Sequence, residues 1–303
     1  MAYQQFLAEF AKAQGVGSVD TLLSEHAQRY NFQIASRERA QKFIDLLEQS
    51  MGVSFRGKRI LDVGCAYGAF SIELANRGAT AVGIDISDKW LKLAEINARD
   101  EANVPFLNCD ASSFAARKEL APHGPFDIVV LNDVLEHIYD TPALLENLTH
   151  LMAPDGFIYF KVPNGRATRA VLSEGHKKVF GISLLAPDYW SGYISAPFHI
   201  YYRRWSYFQA LFAQYGFKEL KSLNPVTDAD IDNTRRHITN DLGKIKRGLK
   251  RDNYEKPAQY QFLRRAIQLY IEEAQADMAN LEWPELFLKY RVTFWEGMLK
   301  RRP

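Results

Sequence analysis

Two short segments constrain the fold of this chain more than any other feature. Residues 60–68 read ILDVGCAYG, an apolar run that breaks into a loop of small residues, and residues 82–87 read VGIDIS, a second apolar run that reaches Asp85. Runs of this kind are typical of buried parallel strands, and a loop of small residues lets backbone amides approach a ligand at the carboxyl edge of the sheet. Because Asp85 can accept hydrogen bonds from both hydroxyls of a ribose, the two segments together predict a nucleoside-containing cofactor.

The first loop differs from the G-x-G-x-x-G fingerprint of dinucleotide-binding folds. Its pattern is Asp62, Gly64, Ala66, Gly68, and Phe70 stands where close helix packing favours a small residue. This disfavours a pyrophosphate, which the fingerprint binds with backbone amides and a helix N-terminus. A carboxylate two residues before the first glycine suits a cofactor with an ammonium end, such as S-adenosylmethionine.

Four sequence blocks occur in the order found in one enzyme family. They are DVGCAYG at 62–68, GIDIS at 83–87, NCDAS at 108–112 and FDIVVLNDVLEHI at 126–138. Over roughly residues 59–220 the chain therefore resembles the class I S-adenosylmethionine-dependent methyltransferases, and in particular the small-molecule branch that includes ubiquinone-biosynthesis and sugar methyltransferases. Ala66 departs from this pattern, since many members have glycine there, and makes the loop slightly less permissive.

The alternation of apolar strands with helical segments predicts an α/β fold, a doubly wound, seven-stranded and mostly parallel sheet with a helical insertion before the last strand. Strands are expected at 59–63, 81–85, 105–109, 127–132, 157–162 and 217–223, and helices at 70–77, 88–99, 142–152 and 203–215, with Thr141 capping the third helix. A seventh strand is expected at 290–299, rich in aromatic and β-branched residues and antiparallel to the sixth. The expected organisation is an N-terminal helical segment (1–58), a cofactor-binding core (59–224) with a lid loop (163–202), the insertion (225–285) and the final strand (286–303).

The insertion carries two notable patterns. An apolar stripe at helical spacing runs through Leu263, Ile267, Tyr270, Ala274, Met278 and Leu281. It could pack on its own domain, form a homodimer or cover the substrate. Residues 235–251 contain seven Lys or Arg against one Asp, which indicates either a solvated helix face or a site for an anionic or nucleotide-linked substrate. RNA binding is less favoured, because no aromatic residues interleave the cations.

The composition is that of a globular enzyme with a small-molecule substrate. The formal charge is +2 over 303 residues, so no strong field favours nucleic acid. The chain has neither a long apolar run nor a basic start followed by an apolar stretch, so a cytoplasmic location without a membrane span is expected. Cys65 and Cys109 lack a C-x-x-C spacing and are interpreted as small residues in tight places.

The resemblance assigns the cofactor pocket by position. The residues so implied are Asp62, Gly64, Cys65 and Gly68 for the methionine end, Asp85 for the ribose, Ile86, Asp110 and Ala111 for the adenine, and Leu131 and Asn132 beside the sulfonium. An aspartate at a strand end can also serve as a helix cap. Three of them at the family's spacing favour the cofactor interpretation.

Methyl transfer to a hydroxyl requires a group that accepts a proton. A neutral histidine within hydrogen-bond reach can do this. His137 in NDVLEHI and His199 in APFHIYYRRW are nearly equal candidates, and for each the alternative is a purely structural role. Asp133, Glu136 and His137 do not have the spacing of an H-E-x-x-H site, so no metal ligand is predicted and the two acidic residues are expected to be a cap and an exposed side chain.

The segment 163–202 is long enough to be a lid or binding loop. Its predicted substrate-binding residues, with one residue of the approach to the next helix, are Arg166, Tyr189, Trp190, Tyr193 and Tyr201, and Phe198 is a further aromatic of the same segment. Residues 30–47 are expected to close the cofactor site from the other side. Ordinary core packing is the alternative for these aromatics.

Together these patterns predict a methyltransferase that acts on a small polar acceptor, with O-methylation of a sugar or sugar-nucleotide in polysaccharide biosynthesis as the first hypothesis. A C- or N-methyltransferase of a quinone-like or amine metabolite is the alternative within the class. A non-catalytic S-adenosylmethionine-binding or scaffold module is the alternative outside it.

Overall fold

The computed structural model describes residues 2–99, 101–194, 199–224, 228–250 and 257–301. Four helices come first: α1 (Ala2–Ala13), α2 (Val19–Ser24), α3 (Ala27–Ile34) and α4 (Ser36–Met51). Strands and helices then alternate as β1 (Arg59–Val63), α5 (Ala69–Asn76), β2 (Thr80–Asp85), α6 (Asp88–Ala98), β3 (Phe106–Asn108), α7 (Ala116–Leu120), β4 (Phe126–Asn132), α8 (Thr141–Leu151) and β5 (Met152–Pro163). The remainder is α9 (Thr168–Leu172), α10 (Trp205–Gln214), β6 (Phe217–Ser222), α11 (Asp228–Gly248), α12 (Pro257–Asn280), α13 (Trp283–Leu286) and β7 (Phe294–Arg301).

The strands form one seven-stranded sheet in the order β3-β2-β1-β4-β5-β7-β6. Strands β1 to β5 are parallel to one another, and β7 runs antiparallel between β5 and β6. The predicted α/β fold is confirmed, including the antiparallel pairing of the last two strands. The strand order reverses between β1 and β4, and ligands of open α/β sheets bind at such a point, outside the carboxyl ends of the strands.

The last strand begins later than predicted. Residues Phe287–Arg291 form a π-helical turn, and the strand starts at Phe294. Tyr290 is fully buried, and its hydroxyl donates to Asp277 of α12 at 2.6 Å. This contact with the preceding long helix overrides the β-propensity of the segment.

Helix α8 is capped by a different residue from the one predicted. The side chain of Asp140 accepts a hydrogen bond from the Ala143 amide at 3.0 Å, which satisfies a free N–H group of the first turn. Thr141 is the first residue of the helix, and its hydroxyl lies 2.6 Å from the Tyr207 hydroxyl instead. The Thr141 hydroxyl therefore has a tertiary partner and is not the cap.

The insertion is helical, as predicted, and its apolar stripe is buried within this chain. Leu263, Ile267, Tyr270 and Ala274 of α12 are at most 2% exposed. They belong to one buried cluster with residues of α9, α11 and the segment before α10. The stripe therefore packs on its own chain, and dimerisation through the insertion, which stays a prediction, would have to use other side chains. No helix in the described part of the chain is both long and apolar enough to cross a membrane.

Candidate functional site

The loop after β1 depends on its two glycines. Gly64 and Gly68 have φ values of +70° and +69°, a region that side chains rarely allow. A Cβ on Gly68 would lie 2.5 Å from the Phe106 ring, and one on Gly64 would lie 2.8 Å from Cγ2 of Val134. Ala66 also has a positive φ of 47°, so its methyl group is tolerated at some cost. Larger residues at the two glycines would displace the loop.

The carboxylate of Asp85, at the end of β2, binds the glycine loop that follows β1 and the backbone just before α6. Its Oδ2 accepts a hydrogen bond from the Ala66 amide at 3.0 Å, and its Oδ1 accepts one from the Ser87 amide at 2.9 Å. Each carboxylate oxygen has a second lone pair. Asp85 can therefore hold the loop and still accept hydrogen bonds from a ligand.

Asp62 is buried at the base of the loop. Burial raises the pKa of its carboxyl to about 7, against the opposing effect of a 2.6 Å hydrogen bond from the Ser71 hydroxyl. Burial also raises the pKa of the neighbouring Cys65 thiol well above its usual value, and the Cys65 amide donates to the Ile84 carbonyl at 2.9 Å. Cys65 is thus a small buried residue, as interpreted, and Asp62 is a carboxyl that gains from a cationic partner.

A cavity of about 500 Å³ opens at the carboxyl ends of β1 and β4. Its floor is formed by Asp62, Gly64, Cys65, Ala66, Tyr67, Asn132, Asp133 and Lys161, with Ala69 and Phe70 at one side. Its roof is formed by Phe32, Ser36, Arg39, Ala40, Lys42, Phe43 and Leu46. Seven residues between 32 and 46 thus line the cavity, and the expectation that residues 30–47 close the cofactor site stays a prediction.

The roof is fixed to the core by charge and by aromatic contacts. Arg37 at the start of α4 donates to the Glu73 carboxylate of α5 at 2.7 Å, and both side chains are nearly buried. The Arg39 guanidinium lies over the Phe32 ring, with Cζ 3.6 Å from its centroid. Burial lowers the pKa of Arg39, but an arginine remains charged at neutral pH. The roof therefore carries two cations, Arg39 and Lys42, among largely apolar side chains.

The polar end of the floor is an ion pair. Asp133 has a positive φ of 55°, and its Oδ2 lies 3.2 Å from the Lys161 ammonium. Its Oδ1 is buried and has no hydrogen-bond partner among the described residues. An unsatisfied buried acceptor costs about 1 to 3 kcal/mol, so its persistence beside a cavity is typical of a binding site.

Of the two residues predicted to lie beside the sulfonium, Leu131 and Asn132, only Asn132 lines the cavity. Asn132 lines the cavity, whereas the Leu131 side chain is fully buried in the core. Successive side chains of a strand point to opposite faces, so both cannot face the cofactor. The Leu131 side chain is therefore turned away from the cavity, and the placement of this residue beside the sulfonium stays a prediction.

The predicted adenine residues lie at the ends of β2 and β3, outside the described lining of the cavity. Asp110 accepts hydrogen bonds from the Ser112 amide at 2.9 Å and from its hydroxyl at 2.7 Å. Ile86 is 74% exposed, and Ala111 is buried. An exposed apolar side chain next to a carboxylate suits a flat base that carries an amine, and the assignment stays a prediction.

The lid segment is more regular than predicted, and part of it is core. It contains α9 and two 3-10 turns, Ile182–Leu184 and Pro187–Gly192. Trp190 is 0% exposed, and its indole N–H donates to the Leu185 carbonyl at 3.2 Å. Tyr193 packs against the same cluster. The prediction of Trp190 as a substrate wall is wrong, because the insertion supplies apolar partners that bury it.

The other predicted substrate residues also lie outside the described cavity lining. Arg166 forms an ion pair with Glu273 of α12. Tyr189 is 56% exposed and packs on the Phe262 ring at a centroid distance of 5.3 Å. Tyr201 lies beneath the Arg203 guanidinium, 5.0 Å from its ring centroid. Their substrate contacts stay predictions, and Phe198 falls outside the described residues.

Part of the basic run has a structural role. Arg235 donates to the carbonyls of Met278 and Leu281 near the end of α12, at 3.3 and 3.0 Å, and Lys244 pairs with Asp241 at 2.8 Å. Arg251 falls outside the described residues. The anion-site hypothesis for this run stays a prediction.

The two candidate histidines are adjacent, although neither is in the described cavity lining. His137 Nδ1 lies 3.2 Å from the His199 carbonyl oxygen, and burial lowers the pKa of His137. The His199 ring stacks on Tyr201 at 6.1 Å with an interplanar angle of 9°. The His176 ring lies 5.6 Å from that of His137, a neighbour that the sequence pattern did not indicate.

The two acidic residues before His137 are neither a cap nor exposed, contrary to expectation. Glu136 is only 1% exposed, and burial, aided by the negative charge of Asp133, raises the pKa of Glu136 to about 8. One of its oxygens, Oε2, has no hydrogen-bond partner in the described part of the chain.

Known proteins share this fold and part of this sequence. A ubiquinone biosynthesis O-methyltransferase of Paracidovorax citrulli is 32% identical over 146 residues, 48% of this chain and 56% of that protein, and one of Neisseria meningitidis is 36% identical over 110 residues, 36% of this chain and 45% of that protein. The chain thus spans about half the length of these relatives. An S-adenosylmethionine-dependent methyltransferase from Mesorhizobium loti has the same fold, with a TM-score of 0.52 at 17% identity over 88% of this chain and 100% of that one. The family model of the methyltransferase domain matches residues 33–222, well over half of the sequence. The chain therefore belongs to the class I S-adenosylmethionine-dependent methyltransferase family.

Proposed function

We propose that this chain transfers the methyl group of S-adenosylmethionine to a hydroxyl oxygen of a small acceptor that carries a flat ring and an anionic group. The observation that supports this is the cavity at the switch point of the sheet. Phe32, Phe43 and Phe70 form apolar walls, and Arg39 and Lys42 supply positive charge beside the Lys161–Asp133 ion pair. Such a lining suits a planar anion better than a neutral polyol.

The cofactor would lie along the carboxyl edge of β1, β2 and β3. In this arrangement Asp62 and the glycine loop receive the amino-acid end, Asp85 the ribose, and Asp110 with Ile86 the adenine. The methyl group would then face the cavity near Asn132. Placing the acceptor oxygen in line with the methyl carbon and sulfur makes the reaction unimolecular, which supplies much of the acceleration.

The chemical step forms one bond and breaks another. The acceptor oxygen attacks the methyl carbon, the carbon–sulfur bond breaks, and sulfur keeps the electron pair, so S-adenosylhomocysteine leaves. The hydroxyl proton passes to a base, for which His137 and His199 are the candidates. Neutral imidazole accepts such a proton near pH 7.

The structure gives less support to a sugar acceptor. That hypothesis depended on the aromatic residues of the lid segment, and Trp190 and Tyr193 pack in a core cluster. The O-methyltransferases of ubiquinone biosynthesis among the relatives agree with oxygen as the methylated atom. A hydroxylated aromatic acid therefore becomes the first acceptor class to test.

The experiment is turnover of methyl-labelled S-adenosylmethionine with two panels, dihydroxybenzoates and nucleotide sugars. Label is expected in the aromatic products, with stoichiometric release of S-adenosylhomocysteine. Label in nucleotide sugars alone would overturn the acceptor class. Tight cofactor binding without transfer to either panel would favour a binding module.

Replacing Asp85 by alanine is expected to weaken S-adenosylmethionine binding by about 1.5 to 3 kcal/mol, the range for hydrogen bonds to a charged group. The variant loses the carboxylate that would accept hydrogen bonds from the ribose hydroxyls, and it loses the hydrogen bond from the Ala66 amide. Calorimetric titration measures the loss. Asp155→Ala is the matched control, because that side chain is 97% exposed and remote from the loop in sequence. Unchanged affinity in folded Asp85→Ala would refute the ribose assignment.

Asp62 predicts a pH dependence of stability. Its folded-state pKa of about 7 lies above the ordinary 3.8, so between these values the folded chain holds a proton that the unfolded chain has lost. Stability is therefore highest below the lower pKa and falls as pH rises towards 7, by at most about 1.4 kcal/mol per pH unit. Denaturation at about pH 5.5 and 6.5 without cofactor should show a smaller loss in Asp62→Asn than in the wild type, because buried Glu136, whose pKa is also raised, contributes equally to both proteins. Equal slopes would contradict the assigned pKa.

A further inference from the structure

A second polar centre lies next to the cavity residue Asp133 in the chain. It consists of Glu136, His137 and His176, each of which offers one donor atom, and these atoms lie within 4.8 Å of one another. His137 Nε2 is 3.9 Å from Glu136 Oε1. Two ligands of a tetrahedral ion at about 2.1 Å lie roughly 3.4 Å apart, so small side-chain rotations would bring this cluster to ligand spacing.

Glu136 gives an independent indication of a ligand. The residue is 1% exposed, and its Oε2 has no hydrogen-bond partner among the described residues. A buried carboxyl oxygen without a partner is costly unless it binds a cation. The nearest described group that can carry a positive charge is the His137 imidazole, whose Nε2 lies 3.9 Å from the other oxygen, Oε1, too far for a hydrogen bond.

Both histidines are held by their Nδ1 atoms. His176 Nδ1 lies 2.7 Å from Glu174 Oε1, and His137 Nδ1 lies 3.2 Å from the His199 carbonyl oxygen. A carbonyl oxygen can only accept, and so can an ionised carboxylate, so Nδ1 donates in each case. The lone pair then resides on Nε2, the atom that metal-binding histidines commonly present.

Glu174 is fully buried and accepts hydrogen bonds on both of its carboxylate oxygens. These come from the His176 ring, the amides of His176 and Lys177, and the Tyr202 hydroxyl, which donates at 2.5 Å. A carboxylate that orients a histidine in this way is the usual outer partner of a metal ligand.

We propose that Glu136, His137 and His176 bind one divalent transition-metal ion, with Zn²⁺ as the best match. Two imidazole nitrogens and one carboxylate are a typical zinc ligand set with one position open, whereas Mg²⁺ prefers oxygen ligands alone. The two histidine side chains are 33% and 31% exposed, so the fourth position faces solvent and can take an oxygen ligand. This site does not depend on the proposed acceptor.

The test is metal binding by the full chain, stripped with a chelator and measured without cofactor or acceptor. Zn²⁺ titration should show one equivalent per chain, and Co²⁺ should give the visible absorption of a low-coordinate imidazole site. His176→Ala and Glu136→Gln should each weaken Zn²⁺ binding by about 100-fold or more, the upper range for disturbing a metal site. His150→Ala, an exposed histidine of α8, is the matched control and should bind like the wild type.

Glu174→Gln separates a metal site from a structural cluster. Removing the charge of this outer partner should weaken Zn²⁺ binding by roughly 10- to 100-fold in a chain that circular dichroism shows to be folded. Wild-type binding no tighter than that of His176→Ala, or an equal loss in His150→Ala, would overturn the proposal. Saturation by Mg²⁺ with equal affinity would overturn the choice of metal class.

Discussion

Replacing Trp190 by alanine is expected to lower the free energy of unfolding by about 3 to 5 kcal/mol, the range for deleting a buried large aromatic side chain. Trp190 is 0% exposed and shares a buried cluster with Leu242 of α11 and Ile267 of α12. Truncation would leave a cavity between the lid segment and the insertion, and would free the Leu185 carbonyl that the indole N–H now satisfies. Denaturant unfolding monitored by circular dichroism measures the loss.

Tyr189→Ala is the control for Trp190, because the neighbouring tyrosine is 56% exposed. A change within about 0.5 kcal/mol is expected there, as for most surface substitutions. If Trp190→Ala instead keeps its stability and raises the Michaelis constant of the acceptor, the substrate-wall interpretation would be correct after all.

Replacing His199 by alanine is expected to lower kcat by about 100-fold or more, the contribution of a general base, while the Kd of S-adenosylmethionine stays unchanged. The metal-site proposal assigns His137 Nε2 to an ion, which leaves His199 as the candidate for the proton. Its ring is exposed and stacks on Tyr201, and its carbonyl is within hydrogen-bond distance of His137. Steady-state kinetics on the true acceptor, with calorimetry for the cofactor, measures both quantities.

The two histidines give different signatures. His199→Ala should keep Zn²⁺ and lose turnover, whereas His137→Ala should lose the ion. His150→Ala should change neither. Near-wild-type turnover by His199→Ala would show that the acceptor ionises unaided or that another group takes its proton.

Local pattern was sufficient for the cofactor half of the molecule. The predicted first strand, Arg59–Val63, has the bounds that the structure gives it, and the strand that ends at Asp85 lies beside it in parallel register. A buried parallel strand needs a continuous apolar run, and a tight turn that approaches a ligand needs residues such as Gly64 and Gly68. Both features can therefore be recognised from a few consecutive residues of the sequence. The antiparallel pairing of the last two strands was equally visible, because aromatic and β-branched residues mark it.

Partners distant in sequence decided the rest. Arg39 and Phe43 belong to no cofactor-binding motif in the sequence. They line the cavity because the Arg37–Glu73 ion pair holds α4 over the glycine loop. The sequence indicated only that residues 30–47 cover this side. The orphan oxygen of Asp133 could not be foreseen either, because it follows from the packing around the cavity.

The sequence by itself therefore determined the sheet, the glycine loop and the three aspartates at the strand ends, because each depends on neighbours within one strand or turn. Only the tertiary structure decided that Trp190 is core and that His176 meets Glu136 and His137. The sequence pattern around an aromatic residue in a long loop is the same whether its side chain contacts a ligand or a helix. What distinguishes the two is the apolar surface that another part of the chain presents, and here that surface is the buried stripe of α12.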